Sequence, residues 1–155
     1  MQRQLVIDSS TLFAFEKAGL LNLLGSLPCQ MIVPTAIREE IEAGDGKALL
    51  SFVKVVPLRG RSLKLSRSLS AFGVGSGEAE CCALASRLKL SFIVCDDRKF
   101  IRQRFFSSHE KLKSIKVFGF SFLLYQLRKK KLITDVWSFF DRIILANKWG
   151  RSEVQ

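Results

Sequence analysis

Five short apolar runs, each followed by a stretch long enough for a helix, constrain this chain more than any other feature. They read "QLVID", "CQMIVP", "VKVVPL", "LSFIVCDD" and "SIKVFGF". Each is too short for a buried helix and is rich in Val, Ile or Phe, which suits a strand. Their apolar residues are continuous instead of alternating, the pattern of strands buried on both faces. Strands of that kind, alternating with helices, pair in parallel and carry helices on each side of the sheet. The expected fold class is therefore α/β, with a central parallel sheet of about five strands.

The segments between the runs carry helix punctuation. "SSTLFAFEKAG" has Ser9 or Ser10 as N-cap and Gly19 as a stop. "LLNLLGSL" adds a further turn or two before Pro28, and Pro34 opens "TAIREEIEAG", which Gly44 ends. "ALLSF" begins helical ahead of the third strand, and "SGEAECCALASRLK" is a helix starting at Ser76 or Gly77. "DRKFIRQRFFSSHEK" is a helix or an irregular segment, and "SFLLYQLRKKK" is a further helix. "TDVWSFFDRIILANKWG" is expected to start at Thr134, and its Val136, Phe139, Phe140, Ile143 and Ile144 fall at helical spacing for a core face. Residues 59–77, "RGRSLKLSRSLSAFGVGSG", show weak periodicity and loop chemistry and read as a loop able to act as a flap. No repeat or linker divides the chain, so residues 1–150 are expected to form one domain.

The charge balance narrows the partners. Lys and Arg number 25 against 14 Asp and Glu, a net charge of +11, which attracts polyanions through a long-range field. The basic residues cluster between Arg98 and Lys131, and again at Arg59, Arg61, Lys64 and Arg67. Nucleic-acid phosphate is the natural partner and a membrane surface the second; a run such as "RKKK" also suits a helix end. No apolar stretch approaches the ~20 residues that span a bilayer, and "MQRQLVIDSS" is too short for a secretory signal. A soluble, cytoplasmic protein is expected. Cys29, Cys81, Cys82 and Cys95 form no CxxC pair and have no nearby His. They read as small buried hydrophobes, not as zinc ligands or disulfides. The lone His109 reads as a surface residue and cannot supply the proton-carrier pair of metal-free ribonuclease chemistry. No P-loop or dinucleotide-binding pattern is present.

Against this basic background the acids form a pattern. In open α/β sheets, ligands sit outside the carboxyl ends of the strands. Asp8 ends the first run and Asp96 and Asp97 end the fourth. Glu40 lies on the helix after the second, and Glu78 and Glu80 open the helix before the fourth. Taken singly, each has an ordinary explanation: the aspartates as helix caps, Glu78 and Glu80 as complements to a helix dipole, Glu40 as an exposed helical acid. Jointly they would bring carboxylates to one rim, which calls for a counter-ion. Oxygen donors of this kind suit Mg²⁺ or Mn²⁺ better than zinc or copper.

These stretches resemble the PIN domain, and within it the VapC-like ribonucleases of prokaryotic toxin–antitoxin systems and their uncharacterised relatives. The matching segments are "VIDSSTLF", "VPTAIREEI", "GSGEAECCALA" and "IVCDDRKF", within residues 4–145. The resemblance implies a three-layer α/β/α fold and a metal-dependent nuclease centre. Carried over by position, it makes Asp8 the first metal ligand, Ser10 a support for it or for a bound water, and Glu40 the second acid. Glu80 takes the third acidic position, with Glu78 close enough to be the ligand instead, and Asp96 or Asp97 takes the last. The chain departs from the family pattern in its paired aspartates and in carrying Glu where many members carry Asp.

The activity so implied is a Mg²⁺- or Mn²⁺-dependent endoribonuclease cutting single-stranded RNA, with a small antitoxin and a second copy of the chain as partners. Phe100, Phe105 and Phe106, beside the basic segment, would stack on unpaired bases. The competing expectation is a PIN-like module that binds nucleic acid or a partner without cutting. A receiver domain is disfavoured because its acid pair would follow the first strand. A basic protein docked to membrane or ribosome would use the acids only as caps.

Overall fold

The computed structural model describes residues 3–44, 46–97 and 110–149. The apolar runs become β1 (Arg3–Ile7), β2 (Cys29–Val33), β3 (Val53–Val55), β4 (Phe92–Val94) and β5 (Lys116–Phe118). They form one sheet in the order β3-β2-β1-β4-β5, and every neighbouring pair is parallel. Leu5, Val6 and Ile7 are buried in succession, as are Met31, Ile32 and Val33, which is why these runs do not alternate. The chain lays β1, β2 and β3 outward in one direction, then returns past β1 to add β4 and β5 on its other side. In such sheets the ligand crevice opens where this order reverses, here between β1 and β4.

Among the described residues seven α-helices surround the sheet: α1 (Ser9–Lys17), α2 (Leu21–Gly25), α3 (Thr35–Ala43), α4 (Arg61–Ala71), α5 (Ser76–Arg87), α6 (Phe120–Lys129) and α7 (Val136–Asn147). Helix α5 packs on β1 and β4 with α3 and α4 beside it, while α7 packs on both α1 and α6. Along α5 the buried residues are mostly small, among them Ala79, Cys81, Cys82, Ala83 and Ala85, so the helix lies close against the sheet. Cys95 is also buried, Cys29 is half-buried, and all four thiols are free. Among the described residues no helix is long and apolar enough to cross a membrane.

Three expectations change. Asp8, not Ser9 or Ser10, caps α1. Helix α7 begins at Val136 because the Asp135 carboxylate accepts from the Trp137 and Ser138 N–H groups at 3.1 and 3.2 Å; its Ile143 and Ile144 are buried, but Val136, Phe139 and Phe140 only half-buried. The third change is larger: Arg61–Ala71, read as part of a flap, is the helix α4. Its buried face is Ser62, Leu65, Ser66 and Leu69, at helical spacing, but half of that stripe is serine and so escapes a hydropathy reading. Ser62 and Ser66 donate their hydroxyls to Arg59 O and Leu63 O at 2.6 and 2.8 Å, which satisfies them while buried. Residues 98–109, with Phe100, Phe105, Phe106 and His109, lie outside the described residues.

Candidate active site

Parallel pairing of β1 with β4 sets two acid-bearing strand ends side by side, with Ile7 opposite Val94. The Asp8 N–H donates to Val94 O at 2.9 Å. Asp8 then caps α1, its Oδ2 accepting from the Ser10 N–H at 3.4 Å and from Ser10 Oγ at 2.8 Å. From the β4 side, Cys95 Sγ donates to the same oxygen at 3.4 Å. Burial, with the Asp8 charge beside it, pushes the Cys95 thiol pKa up, so it stays a neutral donor. Oδ1 of Asp8 has no partner among the described residues, although Asp8 is only 3% exposed. A buried carboxylate oxygen without a donor is costly, and the deficit calls for positive charge at that point.

The two adjacent aspartates have different surroundings. Asp96 Oδ2 accepts from Thr11 Oγ1 at 2.6 Å and Oδ1 from the Phe120 N–H at 3.0 Å, while its own N–H donates to Ser10 Oγ at 3.1 Å. Both its oxygens are thus occupied in joining β4 to α1 and α6. Burial still raises its pKa to about 6, against those hydrogen bonds. Asp97 faces α5 instead, where its carboxyl hydrogen-bonds with that of Glu78. Burial, then the nearby Asp8 and Asp97 charges, raises the Glu78 pKa to about 7.

The helix α3 brings in Glu40. Its Oε2 accepts from Ser9 Oγ at 2.5 Å, and its Oε1 lies so close to Gly77 that a Cβ there would overlap it. Burial raises the Glu40 pKa; Ser9 opposes this, and the Asp8, Asp97 and Glu80 charges add to it. Glu80 itself turns to the start of α3, its Oε1 accepting from the Ala36 N–H at 3.3 Å. Asp8, Glu40, Glu78 and Asp97 therefore influence one another at a single rim of the sheet, with Glu80 at its margin and Asp96 built into the fold. Among the described residues, no three acidic, histidine or cysteine side chains come close enough to hold one ion.

A family model described as a PIN domain matches residues 4–155. The chain belongs to the PIN-domain family. No curated protein matches it significantly. PIN domains are typically nucleases and generally use divalent metals. The residues of this PIN domain fit such an ion by chemistry: hard oxygen donors, one buried oxygen without a partner, and two carboxyls facing each other across a hydrogen bond. The Asp8 and Asp97 charges that help to raise the Glu78 pKa are a repulsion that a cation would relieve. Three contributors were not singled out from the sequence: Ser9, which holds Glu40; Thr11, which holds Asp96; and Cys95, which holds Asp8. The available signal was adjacency, since all three lie inside "VIDSST" and "VCDD".

Proposed function

We propose that this PIN domain is a divalent-metal-dependent endoribonuclease acting on single-stranded RNA, with Asp8, Glu40, Glu78 and Asp97 holding Mg²⁺ or Mn²⁺. The observation that carries this reading is the buried, partnerless Oδ1 of Asp8 at a rim shared with three other carboxyls. Held by these residues, a hard cation would supply a water of lowered pKa and neutralise charge on the phosphoryl oxygens. The chain's own residues supply the orientation. Ser10 and Cys95 pin one oxygen of Asp8 and leave the other without a partner among the described residues, and Ser9 fixes Glu40. Burial and the Asp8 and Asp97 charges raise the Glu78 pKa to about 7 without an ion, and a bound cation would lower it and hold Glu78 as a carboxylate ligand. Glu80 supports α3, and with it Glu40, from the margin. The +11 net charge draws in the polyanionic substrate.

The test is cleavage of single-stranded RNA by purified protein with Mg²⁺ or Mn²⁺, arrest by EDTA, and loss of cutting in Asp8→Asn. Cleavage that survives the substitution or the chelator overturns the assignment. A second reading, a PIN domain that binds RNA or a partner without cutting, draws on the spacing of the carboxylates, no three of which reach one ion among the described residues. It gains if wild type binds RNA but never cuts it. The toxin role implied by the resemblance is tested by growth arrest on expression, and by its relief with the product of the neighbouring reading frame.

A further inference from the structure

A second charged feature lies away from the acids. The start of α4 sits beside the end of α5 and leaves an open groove of about 430 Å³, lined in part by Arg59, Arg61, Ser62, Leu65, Ser86 and Arg87. The three arginines are exposed, and none has a carboxylate partner among the described residues. The first turn of α4 holds no acid, and no side chain caps it. Arg87 Nη1 donates to Pro57 O at 3.0 Å, which fixes that guanidinium at the groove edge with its other N–H groups available. Ser62 Oγ both accepts from the Arg59 N–H and donates to Arg59 O, tying the Arg59 turn onto α4. Glu78 opens α5 and Arg87 ends it nine residues later, about 14 Å along the axis. Groove and acid rim therefore lie at opposite ends of one helix.

We infer that this groove anchors the phosphodiester backbone of single-stranded RNA, separately from the acid rim; the inference rests on the proposal that RNA is the ligand. Guanidinium forks match phosphate oxygens two at a time, and three of them around one concavity repel until an anion enters. A strand held there and cut at the acid rim runs the length of α5, so the groove favours longer strands over short ones.

The experiment measures binding of a fluorescein-labelled oligouridylate by anisotropy, in EDTA and over a salt series. Wild type is compared with R59Q/R61Q/R87Q and with a charge-matched control, K17Q/K54Q/K113Q, at scattered exposed lysines. The arginine variant is expected to bind about tenfold more weakly. Its log–log salt slope should be shallower by about 2, three contacts at about 0.7 each, with less than half that change in the control. R59Q/R61Q, which keeps the Arg87–Pro57 hydrogen bond, should show about two thirds of the slope change. Equal behaviour of the two triple variants, or wild-type binding by the arginine variant, overturns the inference. Because no cutting occurs in EDTA, that failure leaves the nuclease reading standing. Cleavage by Asp8→Asn would overturn the assignment of the acid rim and leave the groove.

Discussion

Thr11 Oγ1 donates to Asp96 Oδ2 at 2.6 Å, so the first of two adjacent aspartates is bound into the fold while the second, Asp97, faces Glu78. Asp96→Asn replaces an acceptor by a donor opposite the Phe120 N–H or Thr11 Oγ1 and is expected to cost about 1–3 kcal/mol of stability. Asp97→Asn should leave stability near wild type and abolish metal-dependent cutting. Urea unfolding alongside an RNA cleavage assay separates the two; equal destabilisation by both would refute the division of roles.

The two glutamates of α5 are expected to divide in the same way. Glu80→Ala removes the acceptor for the Ala36 N–H at the start of α3, costing about 1 kcal/mol, the size of a lost helix cap, and keeps most of the activity. Glu78→Gln should lower the cleavage rate by about 100-fold or more without loss of stability. Thermal melts and single-turnover rates on both variants decide it.

Stability should depend on pH through the same carboxyls. Glu78 and Asp96 titrate near 7 and near 6 when folded, above the ordinary carboxylate range, with burial the main cause. Across that window the folded chain binds more protons than the unfolded one, so metal-free stability is expected to fall as pH rises from about 5 to about 8. Mn²⁺ should raise the melting temperature more at the upper end than at the lower, since it competes with protons for the same oxygens. Melts in EDTA and in Mn²⁺ check this; no metal-dependent shift at the upper pH would count against an ion at this rim.

Gly77 gives a steric test of Glu40. A Cβ at Gly77 would overlap Glu40 Oε1 and stand 2.9 Å from Ile37 Cδ1. Gly77 is the second residue of α5, where replacing Gly by Ala ordinarily adds up to about 1 kcal/mol of stability, the value for a helix interior. Here Gly77→Ala is expected to displace Glu40 from Ser9, forfeit that gain and impair cleavage. A variant more stable and fully active would show that the contact between α3 and α5 has slack.

Helix α4 is tested by packing energy. Leu69 is buried against the core, so Leu69→Ala should cost about 2–4 kcal/mol. A residue in a flap would lose less than about 0.5 kcal/mol. Amide exchange in residues 65–69 should likewise be slow, and fast exchange there would return the segment to a loop.

By itself the sequence determined the strands, their parallel pairing and the strand-end positions of Asp8, Asp96 and Asp97, because continuous apolar runs and their ends are local properties of the chain. Helix α4 was illegible because its buried stripe is half serine, and serine is polar until its hydroxyl meets a carbonyl of its own helix. Telling the surroundings of Asp96 from those of Asp97, or of Glu78 from those of Glu80, required the tertiary structure. Successive residues leaving a strand point to opposite faces, and residues two apart on a helix lie about 200° apart around the axis. Which of those directions meets the rim depends on distant partners: Thr11 and Phe120 for Asp96, Ala36 for Glu80 and Ser9 for Glu40.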